Sequence, residues 1–93
     1  MSVRLVVSMK ALPGKGDEWA ADFLPRTLET QKEPGCLQYE LHRSMQNLDH
    51  FTLLERWSDP EALEVHMGVL RARPRPTGPS LTEGPPTMER YED

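Results

Sequence analysis

Residues 33–66 read EPGCLQYELHRSMQNLDHFTLLERWSDPEALEVH, and the order of signals inside this stretch decides the fold. Pro34-Gly35 stops a helix, because proline cannot continue one and glycine takes the backbone angles that close it. From Cys36 to Ser44 the residues alternate. Leu37, Tyr39, Leu41 and Arg43 fall on one face, and Gln38, Glu40 and His42 on the other. Period two marks a strand. Gln46-Asn47-Leu48-Asp49 makes a tight connection, as an antiparallel hairpin needs, and His50–Trp57 alternates again with Phe51, Leu53, Glu55 and Trp57 aligned. Ser58 or Asp59 then caps a second helix, with Pro60 in its first turn, where a missing N–H costs nothing. Leu63, Met67 and Leu70, with His66 beside them, form the inner stripe of that helix.

Working outward, Val3, Leu5, Val7 and Met9 share one face of a first strand, opposite Arg4, Val6, Ser8 and Lys10. Leu12-Pro13-Gly14-Lys15-Gly16 is a turn, and Asp17 is the expected N-cap of a first helix. Trp19, Phe23, Leu24, Thr27 and Leu28 recur at helical spacing through about Glu33. Pro25, inside that pattern, predicts a kink or break near Asp22–Leu24. From Arg73 to Pro86 lie five of the nine prolines, at 74, 76, 79, 85 and 86. This composition predicts a wrapped loop or a flap, with room for one short helical turn around Ser80–Glu83. Thr87–Glu92 alternates as a last strand. The order is β-α-β-β-α-β in one domain over residues 1–93. That is an α+β, ferredoxin-like arrangement: a four-stranded antiparallel sheet with helices on one face.

The bulk numbers narrow the function. A net charge of −4 argues against an electrostatic nucleic-acid partner. Cys36 is the lone cysteine, so no internal disulfide staples the chain. No 18-residue apolar run spans a bilayer, and residues 1–11 lack the unbroken apolar core of a signal peptide. A soluble cytoplasmic protein with no membrane partner is expected. At 93 residues the chain buries a modest fraction of its surface, and a partner subunit would help its stability.

With the parts in this order, the sequence resembles the antibiotic-biosynthesis-monooxygenase family of dimeric α/β-barrel proteins. The matching pieces are Pro13-Gly14-Lys15, Glu33-Pro34-Gly35-Cys36-Leu37-x-Tyr39, Arg43-Ser44, Phe51, Glu55-x-Trp57, and Asp59-x-Glu61-Ala62-Leu63-x-x-His66. Pro85-Pro86 before the last strand matches loosely. The resemblance implies a homodimer whose two sheets face each other and close a barrel. It also implies cofactor-independent oxygenation, by dioxygen, of quinol-like or polyketide-like aromatic substrates. Two departures stand out. Where members often carry a second histidine this chain has Arg71, Arg73 and Arg75, and the prolines replace a helix expected between 71 and 84. The haem-degrading branch places an asparagine on the first strand, a tryptophan in the second helix and a histidine after it. Here those places hold Val7-Ser8, His66 and the Arg/Pro run, which disfavours haem degradation.

Oxygenation without metal or flavin needs an electron-rich substrate anion, a group to take its proton, and donors to hold the resulting enolate. The three histidines, at 42, 50 and 66, show no zinc-type spacing, so no metal or other cofactor is expected. Trp57 is the first catalytic candidate, its indole N–H aimed at an enolate oxygen; the structural reading is a core tryptophan closing the sheet. His66 is the second, as proton shuttle, against a half-buried helix histidine. For substrate binding the candidates are Tyr39, Arg43, Phe51 and Glu55. Tyr39 offers a hydroxyl or core packing, and Arg43 an anion contact or a barrel-rim ion pair. Glu55 shares the face of Phe51 and Trp57; it orients His66 or bonds an arginine across the dimer. Asn47 is read as a turn residue and Cys36 as no nucleophile, having no paired thiol or neighbouring base. An isomerase using His66, and a non-catalytic ligand-binding or stress-related dimer, are the alternatives on the same fold.

Overall fold

The computed structural model describes residues 1–74 and 79–92. Its elements are β1 (Val3–Lys10), α1 (Gly16–Thr30), β2 (Cys36–Arg43), β3 (His50–Trp57), α2 (Pro60–Ala72) and β4 (Thr87–Glu92). The strands form one sheet in the order β2-β3-β1-β4, every neighbouring pair antiparallel. The expected ferredoxin-like α+β arrangement is therefore present. Arg75 and Pro76 lie outside the described residues. Around Ser80–Glu83 the chain forms no helical turn. Instead Thr82 bridges Ala11, and Glu83 N donates to Lys10 O at 2.8 Å, so this part wraps onto the end of β1.

One face of the sheet makes the core. Val3, Leu5, Val7, Phe51, Leu53, Trp57 and Tyr39 are buried there against Leu63 of α2 and Trp19 of α1. The opposite face carries Arg4, Val6, Leu54, Arg56, Gln38 and Glu40, none of them fully buried. All of β4 is exposed.

Four sequence expectations change. Leu37 does not share the face of Tyr39: Cys36 pairs with Trp57 and Gln38 with Arg56, leaving Leu37 as the extra residue of a β-bulge, 59% exposed. Cys36 takes its place against the core. Helix α1 runs unbroken through Pro25 and ends at Thr30. Pro25 and Ala21 lie on the solvent side, so the carbonyl that loses its helical donor faces water. Asp17 is not the N-cap. The carboxylate of Asp49, from the β2–β3 connection, accepts from Gly16 N and Gly14 N at 2.9 Å each. Those two bonds hold the Asp49 carboxyl below its ordinary range. Finally, Leu70 is exposed, and the stripe of α2 that meets the sheet centres on Leu63 and His66.

Candidate functional site

The site forms where β2 and β3 pass beneath α2. Glu55 and Trp57 are the last core-face residues of β3, with Tyr39 and Cys36 opposite them on β2. Asp59 fixes the start of α2, its carboxylate accepting from Ala62 N at 2.8 Å. About two turns on, His66 points down onto the sheet. Gly35 lets the α1–β2 turn run close under the helix. It adopts φ +82°, and a Cβ there would lie 2.5 Å from Ala62 Cβ. That close approach brings Glu33 to His66.

The groups meet tightly. The rings of Trp57 and His66 stack with centroids 4.6 Å apart, and Tyr39 presents its edge to both, at 6.4 and 5.5 Å. Trp57 Nε1 donates to Glu55 Oε1 at 3.0 Å. His66 Nδ1 lies 3.0 Å from Glu33 Oε1, while His66 Nε2 is buried without a hydrogen-bond partner. His66 is 1% exposed and Trp57 0%. The expectation that Glu55 orients His66 is therefore corrected: Glu33 holds the imidazole, and Glu55 holds the indole. In the sequence Glu33 reads only as the end of a helix before Pro34-Gly35. Nothing in its spacing, 33 residues from His66, signals the contact.

Burial sets the electrostatics. It raises the Glu55 carboxyl above its ordinary value of 4.5, with the Trp57 N–H and His66 opposing the rise and Glu33 adding to it. Burial and then Glu55 push the Tyr39 hydroxyl up strongly, so Tyr39 stays a neutral donor. The Cys36 thiol is also raised, by burial and by Glu33 and Glu55, which is the opposite of an activated thiolate. Among the described residues no three His, Cys, Asp or Glu side chains assemble into a metal-binding group.

Arg43 and Phe51 lie elsewhere. They pair with each other at the far end of the hairpin, about 20 Å along β3 from Trp57. Arg43 donates to Leu48 O at 2.6 Å, pairs with Asp17 at 2.8 Å and covers the Phe51 ring at 5.2 Å. Neither of two cavities lined by described residues includes Trp57 or His66. One, of about 320 Å³, follows the β2 edge along Gln31, Cys36, Gln38, Tyr39 and Glu40. The other, of about 220 Å³, has an apolar floor of Met9, Trp19 and Phe23, with Lys10 and Arg26 among its lining residues. Trp19 stacks on Phe23 at 4.8 Å and contacts Phe51 at 4.5 Å, so Phe51 backs this second cavity. In the sequence Trp19 and Phe23 mark only the helical spacing of α1.

A four-stranded antiparallel sheet with two helices on one face, carrying a His–Glu and a Trp–Glu pair under the second helix, makes this an α+β protein of ferredoxin-like fold. The model of the antibiotic biosynthesis monooxygenase family matches residues 2–69, and the chain belongs to that family. Among solved structures, the protein Rv0793 of Mycobacterium tuberculosis superposes with a TM-score of 0.81 at 21% identity, covering 100% of this chain and 95% of that one. PA3566 of Pseudomonas aeruginosa gives 0.80 at 23% identity, covering 97% and 91%. The heme-degrader MhuD of M. tuberculosis, solved with two hemes in its active site, gives 0.74 at 19% identity, covering 97% and 93%. At such identities these likenesses show the fold alone. No curated protein matches in sequence.

Proposed function

We propose that the protein is a cofactor-independent monooxygenase acting on a small aromatic or quinol-like substrate. The observation that carries this reading is His66, an imidazole with one nitrogen anchored and the other buried and unpartnered beside a tryptophan donor. His66 takes the proton of a phenol or activated methylene, and the anion passes an electron to dioxygen. One oxygen atom enters the substrate and the other leaves as water. A methylene that becomes a carbonyl in this way supplies all four electrons, so no external reductant is needed. Trp57 and Tyr39 are the donors for the developing enolate oxygen, and in the resting state Glu55 occupies the indole N–H. The cavity over Met9, Trp19 and Phe23, backed by Phe51, lies toward the other end of β3 and does not reach His66, so in this reading the substrate ring enters between β3 and α2, beside the Trp57–His66 stack. Arg43 holds the end of the hairpin that frames this cavity.

The reading includes a homodimer, in which the open sheet face with Val6 and Leu54 at its centre meets a second copy, and a cytoplasmic location that keeps the lone Cys36 reduced. A second reading, a non-catalytic ligand-binding dimer, is favoured by one observation. Trp57 and His66 fill the space between β3 and α2 with their own rings, and neither described cavity reaches them. Oxygen uptake separates the two. Wild type should consume oxygen with at least one of a panel of hydroquinones and anthrones, and His66→Ala should lose about 10²–10⁴ in rate. No uptake by wild type on the whole panel overturns the monooxygenase reading in favour of the ligand-binding one.

A further inference from the structure

Glu33 and His66 stand at the two ends of the stretch that decides the fold, yet their side chains meet at 3.0 Å. The imidazole is 1% exposed and its other nitrogen has no hydrogen-bond partner. That arrangement discriminates among protonation states. A doubly protonated ring, or one protonated only at Nε2, would bury an N–H donor with nothing to accept it. The Nδ1–H tautomer instead donates a hydrogen bond to the Glu33 carboxylate and leaves Nε2 as a bare lone pair. Trp57, stacked on one side, and Tyr39, edge-on, fix the plane of the ring, so the carboxylate decides which nitrogen carries the proton.

We infer that Glu33 is the positioning residue of His66: it fixes the Nδ1–H tautomer and thereby reserves Nε2 as the nitrogen that accepts the substrate's proton. The inference rests on the proposed proton-accepting role of His66. Glu33 acts through the imidazole and does not itself touch substrate. Glu55 is the other carboxylate facing the cluster, and its bond to the indole leaves the imidazole to Glu33. The geometry explains why the helix stop before β2 carries a carboxylate two residues ahead of Gly35: the glycine permits the close approach to α2 that the Glu33–His66 bond requires.

The test reads the ring nitrogens of His66 directly, by two-dimensional ¹⁵N–¹H correlation on labelled full-length protein at neutral pH. Wild type should show a protonated Nδ1 and a bare Nε2. Glu33→Ala should shift His66 toward the Nε2–H form that an unconstrained imidazole favours, and Glu33→Gln, which keeps an acceptor oxygen, should largely restore Nδ1–H. Oxygen-uptake rates should fall about a hundredfold in Glu33→Ala and recover in part in Glu33→Gln. A wild-type ring protonated at Nε2 overturns the inference even if the alanine variant fails to fold. So does a folded Glu33→Ala with the wild-type nitrogen pattern. If instead the tautomer behaves as stated and no substrate supports oxygen uptake, the monooxygenase reading fails while Glu33's hold on His66 stands.

Discussion

Trp57 and Glu55 share a hydrogen bond in a setting nearly sealed from water, so neither side chain can be changed alone without leaving a buried polar group unpaired. Trp57→Phe should cost about 2–4 kcal/mol in urea unfolding, from the orphaned carboxylate and the lost indole volume. Adding Glu55→Leu should return part of that loss, and simple additivity of the two changes would show the bond to be unimportant. Acidity gives a second prediction. Burial raises the folded carboxyl of Glu55 above 4.5, so between that value and the raised one the native state binds more protons than the unfolded chain. Stability then falls as pH rises through this window. Wild type should therefore lose ground to Glu55→Gln, which keeps an acceptor for the indole, from about pH 4 toward neutrality. A pH-independent difference would contradict the placement of a buried carboxylate among Glu33, His66 and Tyr39. Sequence patterning brought Trp57, Glu55 and Tyr39 to one face because alternation is a local signal. It missed Glu33 because a contact between a turn and a helix depends on how the chain returns over the sheet.

At the scale of elements, two glycines carry the joints. Gly16 lies where a Cβ would meet Leu48 O at 2.3 Å and the Asp49 carboxylate at 2.8 Å, so the loop that caps α1 needs a bare backbone there. Gly35 combines φ +82° with a close approach to α2. Gly35→Ala should lower stability by about 2–4 kcal/mol, from the left-handed backbone and the overlap with Ala62. Calorimetry showing an unchanged melting temperature would contradict that geometry. The hairpin and the capped second helix were legible because their signals are short-range: His50–Trp57 has the expected bounds, and Asp59 caps where expected. The misread features needed tertiary knowledge. Whether Pro25 breaks α1 depends on which side of the helix faces water. Whether Asp17 or Asp49 caps α1 depends on where the hairpin lands. The bulge at Leu37 follows from register against β3, which alternation within one strand does not reveal.

For the whole molecule, the open face of the sheet is where the proposed homodimer would form. Val6 and Leu54 sit side by side there, flanked by Glu40 and Glu89, with Arg4 and Arg56 in the adjoining row. Neither helix covers them. Sedimentation at micromolar concentration should give about twice the chain mass of 10.6 kDa. Leu54→Lys should shift the protein toward the monomer, whereas a monomeric wild type would contradict the use of this face as an interface. The buried His66 cluster and the aromatic cavity lie on the other face, so the proposed interface and the candidate site are on opposite sides of one sheet. In the proposed reaction the substrate's own electrons reduce dioxygen as one of its atoms enters the ring system. Reaction of wild type with an anthrone under ¹⁸O₂, followed by mass spectrometry, tests it most directly. One ¹⁸O atom is expected in each product molecule and the other in water; product without label, or none formed above the enzyme-free rate, overturns the monooxygenase reading.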